Sequence, residues 1–379
     1  MKFQDLKKIK LSEPLLYIKR ELKKKRKKPL DQYKLTSEEI LLIRRIKEET
    51  SRLNINNITR TKAYFEFYRL YPEIHWAFLG HMVSRNGGWN MTDLKGEILS
   101  RILTKREAEL FFTFLERGNW LIFQDVYPQL LVYQESLKRQ QNLFHLLKHM
   151  NISIFMEVIW DYFWLYHDLY ILTVAQIMNE QSYLEQRVLK DHIYKKEILD
   201  SIEFKLQDLL SMNHILFPFL LQDKIKLIGQ TLHHFESLHE RIMLGKRLYF
   251  ILFRNQTLLN LIERWAEQVP HTGSRKDYWP HIFNDVDEGV PGTVFKPKIK
   301  SCELLPSATK IYSPRLDIVW KNRKQEPAEI IDWYKDWKII YYLMDKEEKA
   351  DENIEKEYCK TLERLELAAN TKKIISHFY

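Results

Sequence analysis

ISIFMEVIWDYFWLYHDLYILTVAQIM, residues 152–178, is the most apolar stretch of the chain, and its reading decides between a membrane protein and a packed helical one. A bilayer span needs about 20 mostly apolar residues, and this segment is long enough. Glu157, Asp161 and Asp168 fall inside it, however, and carboxylates are costly in hydrocarbon. The stretch therefore reads as a helix buried in a globular protein. Glu157, Asp161, Trp164 and Asp168 recur on one stripe, which could be a buried acid pair. The favoured reading is a solvated edge, or one paired with arginines of the first segment, because helices normally have one polar face.

Outward from this segment, proline and glycine divide the chain. Between Gln129 and Gln268 stand one proline (Pro218) and two glycines (Gly229, Gly245), whereas seven of the twelve prolines lie between Pro270 and Pro327. Long helices thus precede an irregular segment. Thr36 with Glu39, and Thr104 with Glu107, have the T-x-x-E spacing of a capping box. The pattern predicts helices near 37–52, 60–71, 72–86, 92–103, 105–117, 126–149, 152–180, 183–212, 219–243 and 245–268. Gly118 reads as a helix C-cap, and helical spacing returns at 328–346 and 352–369. The expected fold is mainly α, one domain over residues 31–379, with an irregular flap at 270–326 that has room for a short strand pair around Thr309 to Trp320.

The 379 residues carry a net charge of +9, but twelve Lys or Arg against three acids in residues 1–28 account for all of it. The body is neutral, which disfavours a nucleic-acid groove within the fold. Residues 1–30 read as a flexible basic tail, and attachment to nucleic acid or an anionic membrane surface would have to run through residues 1–28. Cys302 and Cys359 form no C-x-x-C pair and suggest neither a disulfide framework nor a zinc site, so a reducing cytoplasm is expected. The N-terminus lacks the pattern of a secretory signal.

SRNGGWNMTDL, residues 84–94, holds the densest chemistry. Gly87 and Gly88 are expected to end one helix, and Asn90 or Thr92 to cap the next. That corner would set Ser84, Arg85 and Asn86 opposite a helix N-terminus suited to an anionic group. The expected ligand site comprises Arg60, Ser84, Arg85, Asn86, Trp89, Asn90, Asp93 and Arg275, taking a small anionic ligand or a protein partner. The alternative is a metal-independent, hydrolase-like enzyme with His81 or Asp93 as general base and Arg85 stabilising charge. Asn119 and Asp125 are placed where they could face the same turn, although a structural role is favoured for them. His145 and His149 share a helix face at H-x-x-x-H spacing, but two ligands do not make a metal site. Ser274, in the basic aromatic stretch HTGSRKDYWPHIF (271–283), lacks a glycine-flanked elbow and is a weak nucleophile candidate. No metal or cofactor motif is present.

Three segments, 57–96, 118–133 and 270–283, resemble the YppC-like proteins of Bacillus and relatives, most specifically through SRNGGWNMTDL. That resemblance implies an intracellular bacterial protein of a family of unknown function. It implies no activity, cofactor or catalytic residue.

Overall fold

The computed structural model describes residues 10–26, 34–189, 213–289, 295–344 and 354–375. Its first half is helical: α1 Glu13–Arg26, α2 Ser37–Leu53, α3 Asn57–Leu70, α4 His75–Asp93, α5 Leu99–Ile102, α6 Lys105–Arg139, α7 Ile154–Tyr166 and α8 Leu169–Leu184. An antiparallel hairpin follows, β1 His214–Leu221 with β2 Lys224–Thr231, then α9 Leu238–Phe253 and α10 Gln256–Gln268. The irregular segment carries two-residue strands: β3 Phe283–Asn284 runs parallel to β6 Ile311–Tyr312, and β4 Ile299–Lys300 pairs with β5 Glu303–Leu304. Helices α11 Leu316–Val319 and α12 Glu355–Ile375 complete it. The chain is mainly α, with a strand-containing segment before the C-terminal helix. The central helix is α4, which packs against α3, α6, α8, α9 and β1.

Both T-x-x-E boxes form, at Thr36–Glu39 and Thr104–Glu107, and a third, Asn56–Thr59, starts α3. The apolar stretch 152–178 is two helices, broken at His167 (φ 52°), with the Asp168 carboxylate accepting from the Ile171 N–H at 2.9 Å as the cap of α8. Among the described residues no helix is long and apolar enough to cross a membrane. The remaining acids of the stripe are ion-paired: Lys25 Nζ donates to Glu157 at 2.7 Å and to Asp161 at 2.6 Å.

Six expectations are corrected. Residues 13–26 are no free tail but a helix that buries Leu15, Ile18 and Leu22. The corner expected at Gly87–Gly88 is the interior of α4, which runs unbroken to Asp93. The helix break expected at Gly118 is absent, because α6 continues through Gly118 and Pro128 for 35 residues. Each such residue costs about 1–3 kcal/mol of helix propensity, and the burial of most of α4 and of α6 from Leu121 to Tyr133 outweighs it.

The fourth correction is the hairpin. The helix expected at 183–212 lies outside the described residues from 190 on, and the one expected at 219–243 begins instead within a β-ribbon. Gln222 and Asp223 both take positive φ (49° and 58°), as a two-residue hairpin turn requires. A Cβ on Gly229 would lie 1.9 Å from the Ile215 carbonyl oxygen. Fifth, where a helix is expected at 328–346, the described residues 328–344 form a strap ending in a 3-10 turn, Trp337–Leu343. Asp332 on that strap accepts from the Ser153 hydroxyl (2.7 Å) and the Ile154 N–H (3.0 Å) at the start of α7. Sixth, Cys302 and Cys359 are joined in a disulfide, Cα–Cα 5.3 Å, against the expectation of separate thiols.

Candidate functional site

Opposite faces of α4 have opposite characters. One carries Trp76, Leu79, Gly80, Val83, Ser84, Gly87 and Asn90, with small side chains recurring at 80, 84 and 87, and it borders a cavity of about 250 Å³. Phe114, Gly118, Asn119 and Ile122 of α6 form the facing wall. Ile177, Glu180 and Leu184 of α8 form another, with Leu244, Gly245 and Leu248 of α9 beside them. Arg60 and Tyr64 of α3 close one side, and Ile215, Leu232 and Phe235 the hairpin side.

Two cations and one acid interrupt these mostly apolar walls. Arg60 is buried and donates to Glu116 at 2.5 Å and to Asn54 Oδ1 at 3.1 Å. Arg241 donates to Glu185 at 2.6 Å, to Gln181 Oε1 at 3.0 Å and to the Phe235 carbonyl at 2.6 Å. Each guanidinium is therefore neutralised by a carboxylate. Glu180 differs. It accepts from Gln181 Nε2 at 2.8 Å, and among the described residues no cation lies within 4 Å of it. Burial pushes its carboxyl up to about 7, with Trp76 and Gln181 drawing it partly back.

The other face of α4 is a polar seam that fastens the irregular segment. Arg85 donates to the Val269 carbonyl at 2.8 Å and to that of Pro270 at 3.4 Å, with its guanidinium 4.2 Å from the Trp265 ring centre. Asn86 pairs with β1 as a strand would: Nδ2 donates to the Leu216 carbonyl (3.0 Å) and Oδ1 accepts from the Leu216 N–H (2.8 Å). Asp93 forms a buried ion pair with Arg275, which also donates to the Tyr358 hydroxyl. The Ser313 hydroxyl also donates to Asp93, at 3.2 Å. Trp89 stacks on Arg275, its ring centre 4.1 Å from the guanidinium. Burial pushes Asp93 up while Arg275 pulls it down. The hollow beside this pair holds about 20 Å³, room for about one water.

Of the residues singled out in the sequence, Arg60, Ser84 and Asn90 border the large cavity, as does Asn119. Arg85, Asn86, Trp89, Asp93 and Arg275 lie in the seam. His81 stacks on Phe65 (centroids 4.6 Å) and contacts the Thr61 carbonyl at 2.8 Å; burial lowers its pKa to about 3, so it is a neutral core histidine. Asp125 accepts from Asn179, Nδ2 to Oδ2 2.5 Å, away from the cavity. His145 contacts Glu39 at 2.7 Å, and among the described residues no group of three or more His, Cys, Asp or Glu is placed to hold a metal. Ser274 donates to the Ser313 carbonyl, at 2.5 Å, within the seam.

Sequence reasoning missed Glu180, Arg241 and Trp76. The one available signal was the helical repeat of small residues at 80, 84 and 87, hidden once the glycines were read as a break.

A family model described as "Protein of unknown function (DUF2515)" matches residues 52–363. The uncharacterized protein YppC of Bacillus subtilis (strain 168) is 36% identical over 301 residues, covering 77% of this chain and 91% of that protein. No solved structure matches. The match takes in α4, the cavity walls and the seam together, and the chain belongs to the DUF2515 family of proteins of unknown function.

Proposed function

We propose that the protein binds a small, mostly apolar molecule in the cavity beside α4. The carrying observation is the cavity itself, about 250 Å³ with glycines on three of its helices. An apolar void of about 150 Å³ holds benzene, so this one has room for a larger aromatic or aliphatic body. Covering the mostly apolar walls removes that surface from water, which favours an apolar occupant.

The surroundings support this reading over a small anion or a protein partner at Ser84–Asp93. Of the arginines expected there, only Arg60 borders the cavity, and Glu116 already neutralises it. They also give less support to a hydrolase built on His81 or Asp93, since neither borders the cavity. Attachment through residues 1–28 has less support too: Lys25 is spent on Glu157 and Asp161, and Lys19 lies over Trp337.

Gly118 supplies the test. A Cβ there would have only Leu184 Cδ2 nearby, at 3.9 Å, so a side chain can grow into the hollow. Titration of the full chain with 4-phenylbutan-1-ol is expected to show saturable binding and a raised unfolding midpoint. Gly118→Leu is expected to fold and to lose both. Equal responses of the two proteins, or no binding by either, would overturn the reading.

A further inference from the structure

Resting on that reading, we infer that the cavity selects a lipophilic amine, its ammonium seated on Glu180 and its apolar body held against the glycine face of α4. Three observations converge. The first is charge. Arg60 and Arg241 each have a carboxylate partner, Glu116 at 2.5 Å and Glu185 at 2.6 Å, so the acid left over among the charged groups at the walls is Glu180. When ionised it leaves the described walls with one net negative charge, in mostly apolar surroundings that strengthen its attraction for a cation.

The second is the set of rings on the same walls, of which Trp76 and Tyr64 stand nearest the acid. Tyr64 and Trp76 meet edge to face at 5.3 Å between centroids, and both line the cavity with Phe114 and Phe235. Aromatic faces attract an ammonium through their quadrupole, and an acid among them is the arrangement that recognises organic cations. Carboxylate ligands meet the reverse: repulsion from Glu180 with no unpaired guanidinium to offset it.

The third is the energetic position of Glu180. Gln181 Nε2 donates to it at 2.8 Å, and it retains accessible surface while lining the cavity. A carboxyl raised to about 7 by burial is one whose charge lacks a partner. An ammonium supplies that partner through a charge-assisted hydrogen bond and keeps the acid ionised.

Three ligands with one carbon skeleton test this on the full chain at pH 8, where Glu180 is ionised: 4-phenylbutylamine, 4-phenylbutan-1-ol and 4-phenylbutanoate. Calorimetry is expected to rank the amine tightest by at least about tenfold over the alcohol, with the carboxylate weakest. Glu180→Gln is expected to bring the amine to the affinity of the alcohol while leaving the alcohol unchanged, and alcohol binding then doubles as the check that the variant is folded. Carboxylate binding as tight as the amine, or an amine preference that survives Glu180→Gln, would overturn the inference and leave the cavity reading standing. Failure of all three ligands would overturn the cavity reading beneath it.

Discussion

Gly88 and Gly118 both sit inside long helices, yet a methyl group added at each meets opposite surroundings. On Gly88 it would lie 2.5 Å from His271 Cε1 and 2.6 Å from Asn57 Oδ1, and those two side chains are hydrogen-bonded to one another at 2.7 Å. Gly88→Ala must therefore push the 270–275 loop off α4 or break that bond. The expected loss is about 1–3 kcal/mol in urea unfolding, as for other overpacked cores. Gly118→Ala meets open space, and the restricted unfolded chain should add about 0.4–1 kcal/mol of stability. Changes of the same sign at the two positions would show that cavity and seam are not distributed on α4 as described. The glycine pair was legible as special in the sequence, but the reason was misread. Gly87 and Gly88 let other elements approach a helix, and close approach from residues 119 and 271 leaves no local trace.

At the scale of elements, a buried polar spine ties α6, α7, α8 and the strap together. Asp125 accepts from Asn179 Nδ2 (2.5 Å) and Gln129 Nε2 (3.1 Å), both at Oδ2. Gln129 Oε1 accepts from Trp160 and Gln176, each at 2.9 Å, and Trp333 donates to Asn179 at 2.7 Å. Burial, the largest influence, raises Asp125 from 3.8 to about 7. A carboxyl raised in the folded state holds its proton after the unfolded chain has lost it. Its contribution is therefore whole below about pH 4 and is lost as pH climbs to about 7. Asp125→Asn keeps an oxygen to accept both bonds and removes the titration. Relative to the unaltered protein, the variant should gain about 1.4 kcal/mol per pH unit across that window. Glu180 and Glu366, also raised to about 7, are common to both proteins and cancel in the difference. A stability difference that is flat with pH would contradict the assignment.

The elements themselves were unevenly legible. Capping boxes at Thr36 and Thr104 start helices where the spacing says, because capping is local chemistry. The hairpin was not readable, since its turn uses Gln-Asp where Asn-Gly would have announced it, and β1 carries Pro218 in a run as apolar as a helix. Helix α1 was hidden by its own lysines, although Leu15, Ile18 and Leu22 already had helical spacing.

Across the whole molecule, the disulfide belongs to the C-terminal closure, which touches the hairpin through Glu355 on the Leu227 N–H (3.0 Å) and Glu357 on the Thr231 hydroxyl (2.8 Å) but lies off the cavity walls themselves. Cys302 follows β4 and Cys359 lies in the first turns of α12, a separation of 57 residues. The same two elements are also joined by carboxylates: Glu366 accepts from the Lys298 and Ile299 N–H groups at 2.9 and 3.1 Å, and Glu363 from that of Ser301 at 2.7 Å. Tyr358, next to the bridge, receives a hydrogen bond from Arg275, so this closure bears on the seam face of α4. It has no residue on the cavity walls, which end at Leu248. Cross-linking a loop of 57 residues removes unfolded-chain entropy worth about 4 kcal/mol, an upper figure for an unstrained bridge. Adding tris(2-carboxyethyl)phosphine, or making Cys302→Ser with Cys359→Ser, should lower the unfolding free energy from urea titration by up to that amount. Binding of 4-phenylbutan-1-ol well below the transition should be unchanged, because the walls that hold it lie on α3, α4, α6, α8, α9 and the hairpin. Loss of binding in step with loss of the bridge would mean that the state of α12 reaches the walls, through the hairpin it is hydrogen-bonded to or through the seam and α4, and closure and cavity would then have to be treated as one site.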